Sequence, residues 1–388
     1  MFTKKTRFTL VLSMCLMVLS GVAYIHAAEI VLVNSGQNLG NGRTFSLAIG
    51  DLDGDGDLDA FVTHFLQANK VWINAGNGTL TDSGQSLGGT GAHGVALGDL
   101  DSDADLDAFV VFNEAFDKVY LNDGSGVFTS NGQNLGDASE WGTFVTLGDI
   151  DGDEDLDALV ELYQHPNRVW INDGDALFSD LGQRIGGVNS AGMVLGDLDS
   201  DGDLDVYLSN HDAPDQVLWN DGSGVFVDSG QSLGWSDGAG YAAMADLDGD
   251  TDLDVVTTNY AHGSSVLLNN GAGVFQDSGQ SLGARTQRVC LADLDGNGTI
   301  DAITTHAQDG NPIWLNDGTG TFTASGQNLD GQSVISVCAG DADGDTKVDV
   351  WVGKVEGSGG NEMYFNRTAV PVRPSSWGRV KAEYKRGR

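Results

Sequence analysis

The residues in this chain best placed to do chemistry are clustered carboxylates. Nine-residue runs of the form D-x-D-x-D-x-x-x-D begin at Asp51, Asp99, Asp149, Asp197, Asp246, Asp293 and Asp341, with Asn once at position 5. Oxygens at positions 1, 3, 5 and 9, with a backbone carbonyl at position 7, can converge on one hard cation. The candidate ligands are Asp51, Asp53, Asp55 and Asp59; Asp99, Asp101, Asp103 and Asp107; Asp149, Asp151, Asp153 and Asp157; Asp197, Asp199, Asp201 and Asp205; Asp246, Asp248, Asp250 and Asp254; Asp293, Asp295, Asn297 and Asp301; and Asp341, Asp343, Asp345 and Asp349. Calcium takes roughly 6–8 oxygens at about 2.3–2.6 Å, whereas magnesium resists losing its water, so up to seven Ca2+ sites are expected. No Cys/His cluster has the spacing of a zinc site. Without a cation, carboxylates this close repel and raise one another's pKa.

The seven runs are not equal. Position 6 favours φ > 0, hence Gly. Gly56, Gly202 and Gly298 meet that demand; Ala104, Glu154, Thr251 and Thr346 do not. The sixth run carries Asn297 at position 5 and Thr299 at position 7, and the seventh also has one Asp fewer than the first five. Graded affinities are expected, weakest in the sixth and seventh. An EF-hand is excluded, because its bidentate Glu at position 12 is replaced by Val62, Val110, Val160, Leu208, Thr257, Thr304 and Val352.

The elements that hold these loops repeat with them. Successive runs start 47–50 residues apart, and two further motifs keep phase: V-[WY]-[IL]-N-D-G-like stretches such as Val119 to Gly124, and S-G-Q-S-L-G-like stretches such as Ser83 to Gly88. Each unit contains four short stretches of strand character. In the second unit these are His93 to Leu97 (A), Leu106 to Phe112 (B), Lys118 to Leu121 (C) and Val127 to Ser130 (D). No stretch has a helical period. The fold class is all-β, a seven-bladed β-propeller with four-stranded blades. Glu29 to Gln37 reads as a D strand lacking its A–C partners, and the unit ending at Met363 to Asn366 lacks a D strand. The N-terminal strand is expected to complete the last blade and close the ring. Trp72, Trp170, Trp219 and Trp314 are assigned to one strand C position (Tyr120, Leu267 and Tyr364 elsewhere) and to the inter-blade core.

Strand order places the A–B acidic loops and the C–D turns on one face, and the B–C and D–A loops on the other. The second set varies among units and collects a candidate ligand face: His64, His93, Trp141, Tyr163, His165, His211, Trp235, Tyr260, His262, Arg285, Arg288 and His306. Variable, aromatic-rich loops on a rigid scaffold are where binding usually resides.

Here the chain resembles the FG-GAP-like (VCBS-type) repeat family, whose propellers resemble the integrin α-subunit head. The matching residues are the seven acidic runs and the N-D-G-x-G-x-F turns, such as Asn122 to Phe128 and Asn220 to Phe226. The resemblance covers about residues 29–370. It implies an extracellular, calcium-stabilised propeller used for adhesion, ligand binding or scaffolding, with calcium ligands at loop positions 1, 3, 5 and 9. Every unit here keeps its loop, whereas integrin-like heads keep it in only some blades, which favours a structural role for the metal.

Composition narrows the partners. The formal charge of -37 on 388 residues repels phosphate backbones and argues against nucleic acid. Lys4, Lys5 and Arg7 precede an apolar run from Phe8 to Ile25, with small residues Ala27 and Ala28 behind it. This is expected to be a signal peptide, 1–27, with an uncleaved anchor as the alternative. The propeller spans 28–370, and 371–388 is a basic tail expected to be flexible. After cleavage no membrane span is expected, and the product is secreted or cell-surface. Cys290 and Cys338 occupy equivalent positions in neighbouring units and are expected to be unlinked thiols. The sequence has no G-x-S-x-G, H-E-x-x-H, Walker or C-x-x-C motif. The leading expectation is a monomeric, non-enzymatic module that binds an extracellular protein or glycan. The alternatives are a purely structural surface component and a lyase-like polysaccharide-acting enzyme.

Overall fold

The computed structural model describes residues 30–40, 42–306, 310–329, 334–354 and 360–368. The expected signal peptide (1–27) and basic tail (371–388) lie outside the described residues. The described residues form seven four-stranded antiparallel sheets and no helix. Blade 1 comprises Thr44–Gly50 (A), Asp59–His64 (B), Lys70–Asn74 (C) and Leu80–Asp82 (D). The next five blades repeat this order, and blade 7 comprises Val334–Gly340, Asp349–Lys354 and Glu362–Asn366 with Leu32–Asn34 added at its edge. The expected closure is present: Leu32 pairs with Asn366, Val33 with Phe365 and Asn34 with Tyr364.

Burial explains the strand sequences. Each B strand lies mid-sheet between two neighbouring blades, so all six residues are buried, from Asp59–His64 in blade 1 to Asp349–Lys354 in blade 7. Such strands read as continuous apolar runs rather than alternating ones. Four D strands, those of blades 1, 2, 4 and 7, are short and outward-facing, as in Phe128–Ser130, one residue shorter than expected. In blades 3, 5 and 6 the D strand runs on into or through the S-G-Q-like motif, as Ser179–Ile185, Gln276–Ser281 and Phe322–Leu329.

The B and C strands match volumes across the pair. A large ring on C faces Ala on B at Trp72–Ala60, Tyr120–Ala108, Trp170–Ala158 and Trp314–Ala302. Leu218 and Leu267 face Val206 and Val255. Trp219 therefore does not belong to this column. It pairs with Val227 on strand D, one residue further along. Because strand side chains alternate faces, its indole points to the opposite blade interface. A Cβ at Gly273 in the following blade would lie 2.0 Å from the Trp219 ring.

Two polar motifs join the blades. The Asn that ends each C strand donates from Nδ2 to the backbone carbonyl at loop position 2 of the preceding blade. The series is Asn122–Leu52, Asn172–Leu100, Asn220–Ile150, Asn269–Leu198, Asn316–Leu247 and Asn366–Leu294, closed by Asn74–Ala342, all at 2.8 Å. The Gln of the S-G-Q-like motif bridges the other way. Gln85 donates to the Gly126 carbonyl (2.6 Å) and accepts from the Phe128 N–H (2.8 Å). Gln37, Gln231 and Gln280 repeat this double bond, Gln133 and Gln183 donate to and accept from one residue, Phe178 and Phe226, and Gln327 accepts from Leu32 N–H. The Gln ring passes through the N-terminal segment at Gln37 and Leu32, and the Asn ring crosses from blade 1 to blade 7 at Asn74 and Ala342, so the closing interface is held by the same chemistry as the interior ones.

Candidate metal centres and the opposite face

In every acidic loop the position 1 carboxylate folds the turn by accepting backbone N–H groups from within it. Asp51 accepts from Gly54, Asp55 and Gly56 at 2.9–3.1 Å, and Asp149, Asp293 and Asp341 repeat the set. This geometry forces φ > 0 at position 6 in all seven loops, including Ala104 (76°), Glu154 (75°), Thr251 (80°) and Thr346 (71°). Each of these non-Gly residues carries about 1–2 kcal/mol of backbone strain. Position 4 also has positive φ, with Ser102 (62°) and Ser200 (65°) among the glycines, a demand the spacing alone did not reveal.

Position 9 is a keystone of the blade. Oδ2 of Asp59 accepts from Leu52 N–H (2.9 Å) and Oδ1 from Asn74 N–H (2.7 Å), tying the loop to the end of strand C. All seven copies make both bonds. Burial pushes these carboxyls up to about 6, and Asp301 to about 7.

Position 3 is different. Oδ1 of Asp53, Asp101, Asp151, Asp199 and Asp343 is buried with no hydrogen-bond partner. An orphaned buried oxygen of this kind is costly and rare. Burial, followed by the neighbouring carboxylates, raises the pKa of Asp53, Asp101, Asp151 and Asp199. Carboxylate oxygens from positions 1, 3 and 9 lie within 4.8 Å of one another in the first four loops, and from positions 1, 3 and 5 in the fifth. The donor set is all oxygen and anionic, and it fits a calcium-type ion. Position 5 is less available than expected, since Asp55 Oδ1 already accepts from Asp57 N–H (3.0 Å).

The later loops satisfy themselves in part. Asp248 Oδ1 accepts from Asp250 N–H and Asp295 Oδ1 from Asn297 N–H. Asn297 Oδ1 also accepts from Thr299 Oγ1 at 2.6 Å. In the seventh loop, Arg367 Nη1 stands 2.7 Å from Asp343 Oδ2, and Lys347 Nζ stands 3.1 Å from Asp345 Oδ2. Side-chain cations there neutralise charge that the earlier loops leave exposed.

On the opposite face the twelve candidate residues separate. His64 and His306 are buried at the outer corner and are not part of a ligand face, which corrects their assignment. His64 packs against Gly40 and Gly42, and His306 against Gly283 and Thr304. Each ends a B strand and lies under the D–A connection that leads into its own blade. His165 and Arg285 are exposed and do not line the cavity described below. Trp141 stacks on Tyr163 (centroids 5.4 Å, 21°) and Trp235 on His262 (4.3 Å, 18°), each pair joining a D–A loop to the B–C loop of the same blade. Trp141, Tyr163, Trp235 and Tyr260 remain 40–50% exposed. His93, Tyr163, His211, Tyr260 and Arg288 line a cavity of about 380 Å³ at the mouth of the axial channel. His93 stacks on Phe45 (3.9 Å), and burial, then Arg288 and Arg43, pushes its pKa down to about 4.

Two residues of this cavity were missed. Glu161 and Tyr241 sit where the A and B strands of blades 3 and 5 approach the axis. The signal for Glu161 was present: position 13 from the start of each acidic run is Thr63, Val111, Glu161, Ser209, Thr258, Thr305 and Gly353, so one charge stands in an apolar or hydroxyl column. Cys290 and Cys338 are free thiols lining the channel below, as expected.

A ring of seven near-identical blades with an acidic turn in each defines a repeat-built propeller scaffold. The family described as FG-GAP-like repeat matches residues 51–110, 105–160, 197–257, 246–304 and 293–352, over half of the sequence. The chain belongs to the FG-GAP-like repeat family. FG-GAP propellers are generally non-enzymatic recognition modules, and proteins carrying them are typically extracellular. Similar solved structures include two of BBS1N in complex with ARL6DN, one soaked with lead and one with mercury. Each has a TM-score of 0.59 at 12% identity and covers 88% of this chain and 98% or 99% of that one, a likeness of fold. No protein of curated function matches the sequence. No helix among the described residues is long and apolar enough to cross a membrane.

Proposed function

We propose that this protein is an exported, calcium-stabilised recognition module that presents its B–C/D–A face to an extracellular protein or glycan. The observation that carries the reading is the pair of half-exposed aromatic stacks, Trp141 on Tyr163 and Trp235 on His262, flanking an open cavity on that face. Flat, partly exposed rings supply contact area at low conformational cost and suit sugar faces or protein hot spots. Calcium is the fitting counter-ion for the other face. There, Asp53, Asp101, Asp151, Asp199 and Asp343 would each hold it through the orphaned position 3 oxygen, with positions 1 and 9 beside them in the first four loops. The metal would supply charge neutralisation and rigidity, and no turnover is assigned to it.

A glycan array and a pull-down in calcium buffer test recognition. The expected result is a bound class lost in Trp141→Ala and Trp235→Ala. Binding that survives both substitutions would place recognition elsewhere, and an array and pull-down without hits favour the purely structural alternative.

A further inference from the structure

The axial cavity contains a charge arrangement that the exposed stacks do not use. Seven A strands reach the channel mouth, and every A–B pair has a register shift there, as at Gly142/Phe144 and Thr286/Arg288. Such bulges re-aim side chains. The bulged position carries Ser46, Gly94, Phe144, Gly192, Tyr241, Arg288 and Ser336 around the ring. Gly192 leaves the space that Tyr241 fills, since a Cβ there would lie 3.0 Å from the Tyr241 backbone and 3.2 Å from its ring. Tyr241 in turn supports Arg288, whose guanidinium carbon stands 3.2 Å from the ring centroid.

Arg288 is fixed in this way outside any close ion pair, with the buried Glu161 as its electrostatic neighbour. Among the described residues no carboxylate comes within ion-pair distance of it. It lines both the mouth and a second cavity of about 500 Å³ below, walled largely by strand A side chains such as Leu47, Val95 and Val289. An arginine with apolar protein behind it attracts an anion more strongly than one in water. Beside it lies Glu161, 2% exposed, with Oε2 unpartnered. Tyr163 and Tyr260 rise at the rim.

We propose that the mouth of the axial channel binds one small polyhydroxylated carboxylate, a sugar acid of single-ring size, with its carboxylate on Arg288 and a hydroxyl on Glu161. The inference deepens the recognition reading by naming what the centre of that face takes. The volume is near the lower end of the roughly 300–1,000 Å³ of small-molecule sites, which suits one ring rather than a chain. The charge is also right: a cationic centre in an otherwise acidic protein selects a small anion that reaches it end-on. Burial pushes Glu161 up to about 7 against the pull of Arg288, and Tyr241 and Thr143 are its other near neighbours. An arriving anion therefore meets a carboxyl able to hold a proton.

Isothermal titration of the full chain with sodium glucuronate, with glucose as the uncharged control, tests the proposal. Glucuronate should bind at least about tenfold more tightly than glucose, as expected for a charge-assisted hydrogen bond. Arg288→Gln should remove that preference, while Arg288→Lys, which keeps the charge beside Tyr241, should retain part of it. Equal binding of the two sugars, binding by neither, or a preference that survives Arg288→Gln overturns the proposal. A glucuronate-capped disaccharide separates the sources: tighter binding than the monomer assigns the site to chain ends, and equal binding assigns it to the free acid, both supporting it. Array hits lost in Trp141→Ala with no glucuronate binding would sink this inference and leave the recognition reading standing.

Discussion

The two faces of the disc are built from the same repeat by opposite rules. On the acidic face, seven loops share one backbone path, even where Ala104, Glu154, Thr251 and Thr346 must adopt positive φ to keep it. On the other face, equivalent positions diverge: the B–C and D–A loops carry Trp141, Trp235 or His211 in single blades only. The difference shows where each face's constraint comes from. An acidic loop must satisfy its own carboxylates and hold the neighbouring blade through Asn and carbonyl contacts, so little variation survives. The opposite loops carry few of these inter-blade bonds and are free to specialise.

The comparison breaks most easily at the metal. Chelation should lower the melting temperature by more than about 10 °C, because each site filled at 100 times its dissociation constant adds about 2.7 kcal/mol. Differential scanning calorimetry with and without chelator measures this, and an unmoved transition would remove the structural role from the acidic face. Next in size is the blade clamp. Asn220→Ala leaves the Ile150 and Leu204 carbonyls without their shared donor, and should cost about 1–3 kcal/mol in urea unfolding. A cost below about 0.5 kcal/mol would show that the clamps are incidental.

A third test uses the repeat against itself. Asp117 accepts the Phe112 N–H, the task performed by Asn69, Asn167 and Asn311 in other blades. Burial pushes Asp117 up to about 8, with Glu140 raising it further and Arg168 opposing. The unfolded chain releases this proton near pH 4. The folded state therefore loses stability relative to the unfolded as pH rises from about 4 to about 8. Asp117→Asn removes that loss, so its melting-temperature advantage should grow across this window and level off above it. A constant difference across the range would refute the assignment.

Smaller differences lie within the acidic face itself. Calcium titration followed by native mass spectrometry should fill the sixth and seventh loops last, because Asp295 is bonded internally and Arg367 with Lys347 already neutralises the seventh. Simultaneous filling of all seven would contradict this. The smallest thermal effect belongs to the rim: Trp141→Ala should change stability by no more than about 0.5 kcal/mol, as for most surface substitutions, while abolishing ligand capture. A large loss of stability would make the stack structural.

Much of this architecture was legible in the chain because it is local and repeated. Asp51 folds its own turn with N–H groups three to five residues away. The period of the acidic runs counts the blades, and the unpaired D strand before Gln37 announces the closure. Trp219 was legible and misassigned: in Val217-Leu218-Trp219-Asn220 it stands one residue after the place Trp72 holds in Val71-Trp72-Ile73-Asn74, and one residue of register turns a side chain to the opposite interface. His64 and His306 show the limit of such reading, since a histidine at a strand end becomes a ligand or a buried corner according to what passes over it. The axial cavity was the least legible part. Glu161, Tyr241 and Arg288 lie in three different blades, and their meeting depends on ring closure and on a bulge repeated in every A strand. Spacing along the chain determines how each turn satisfies its own backbone; which side chains share the axis is decided only when seven sheets close at a common radius.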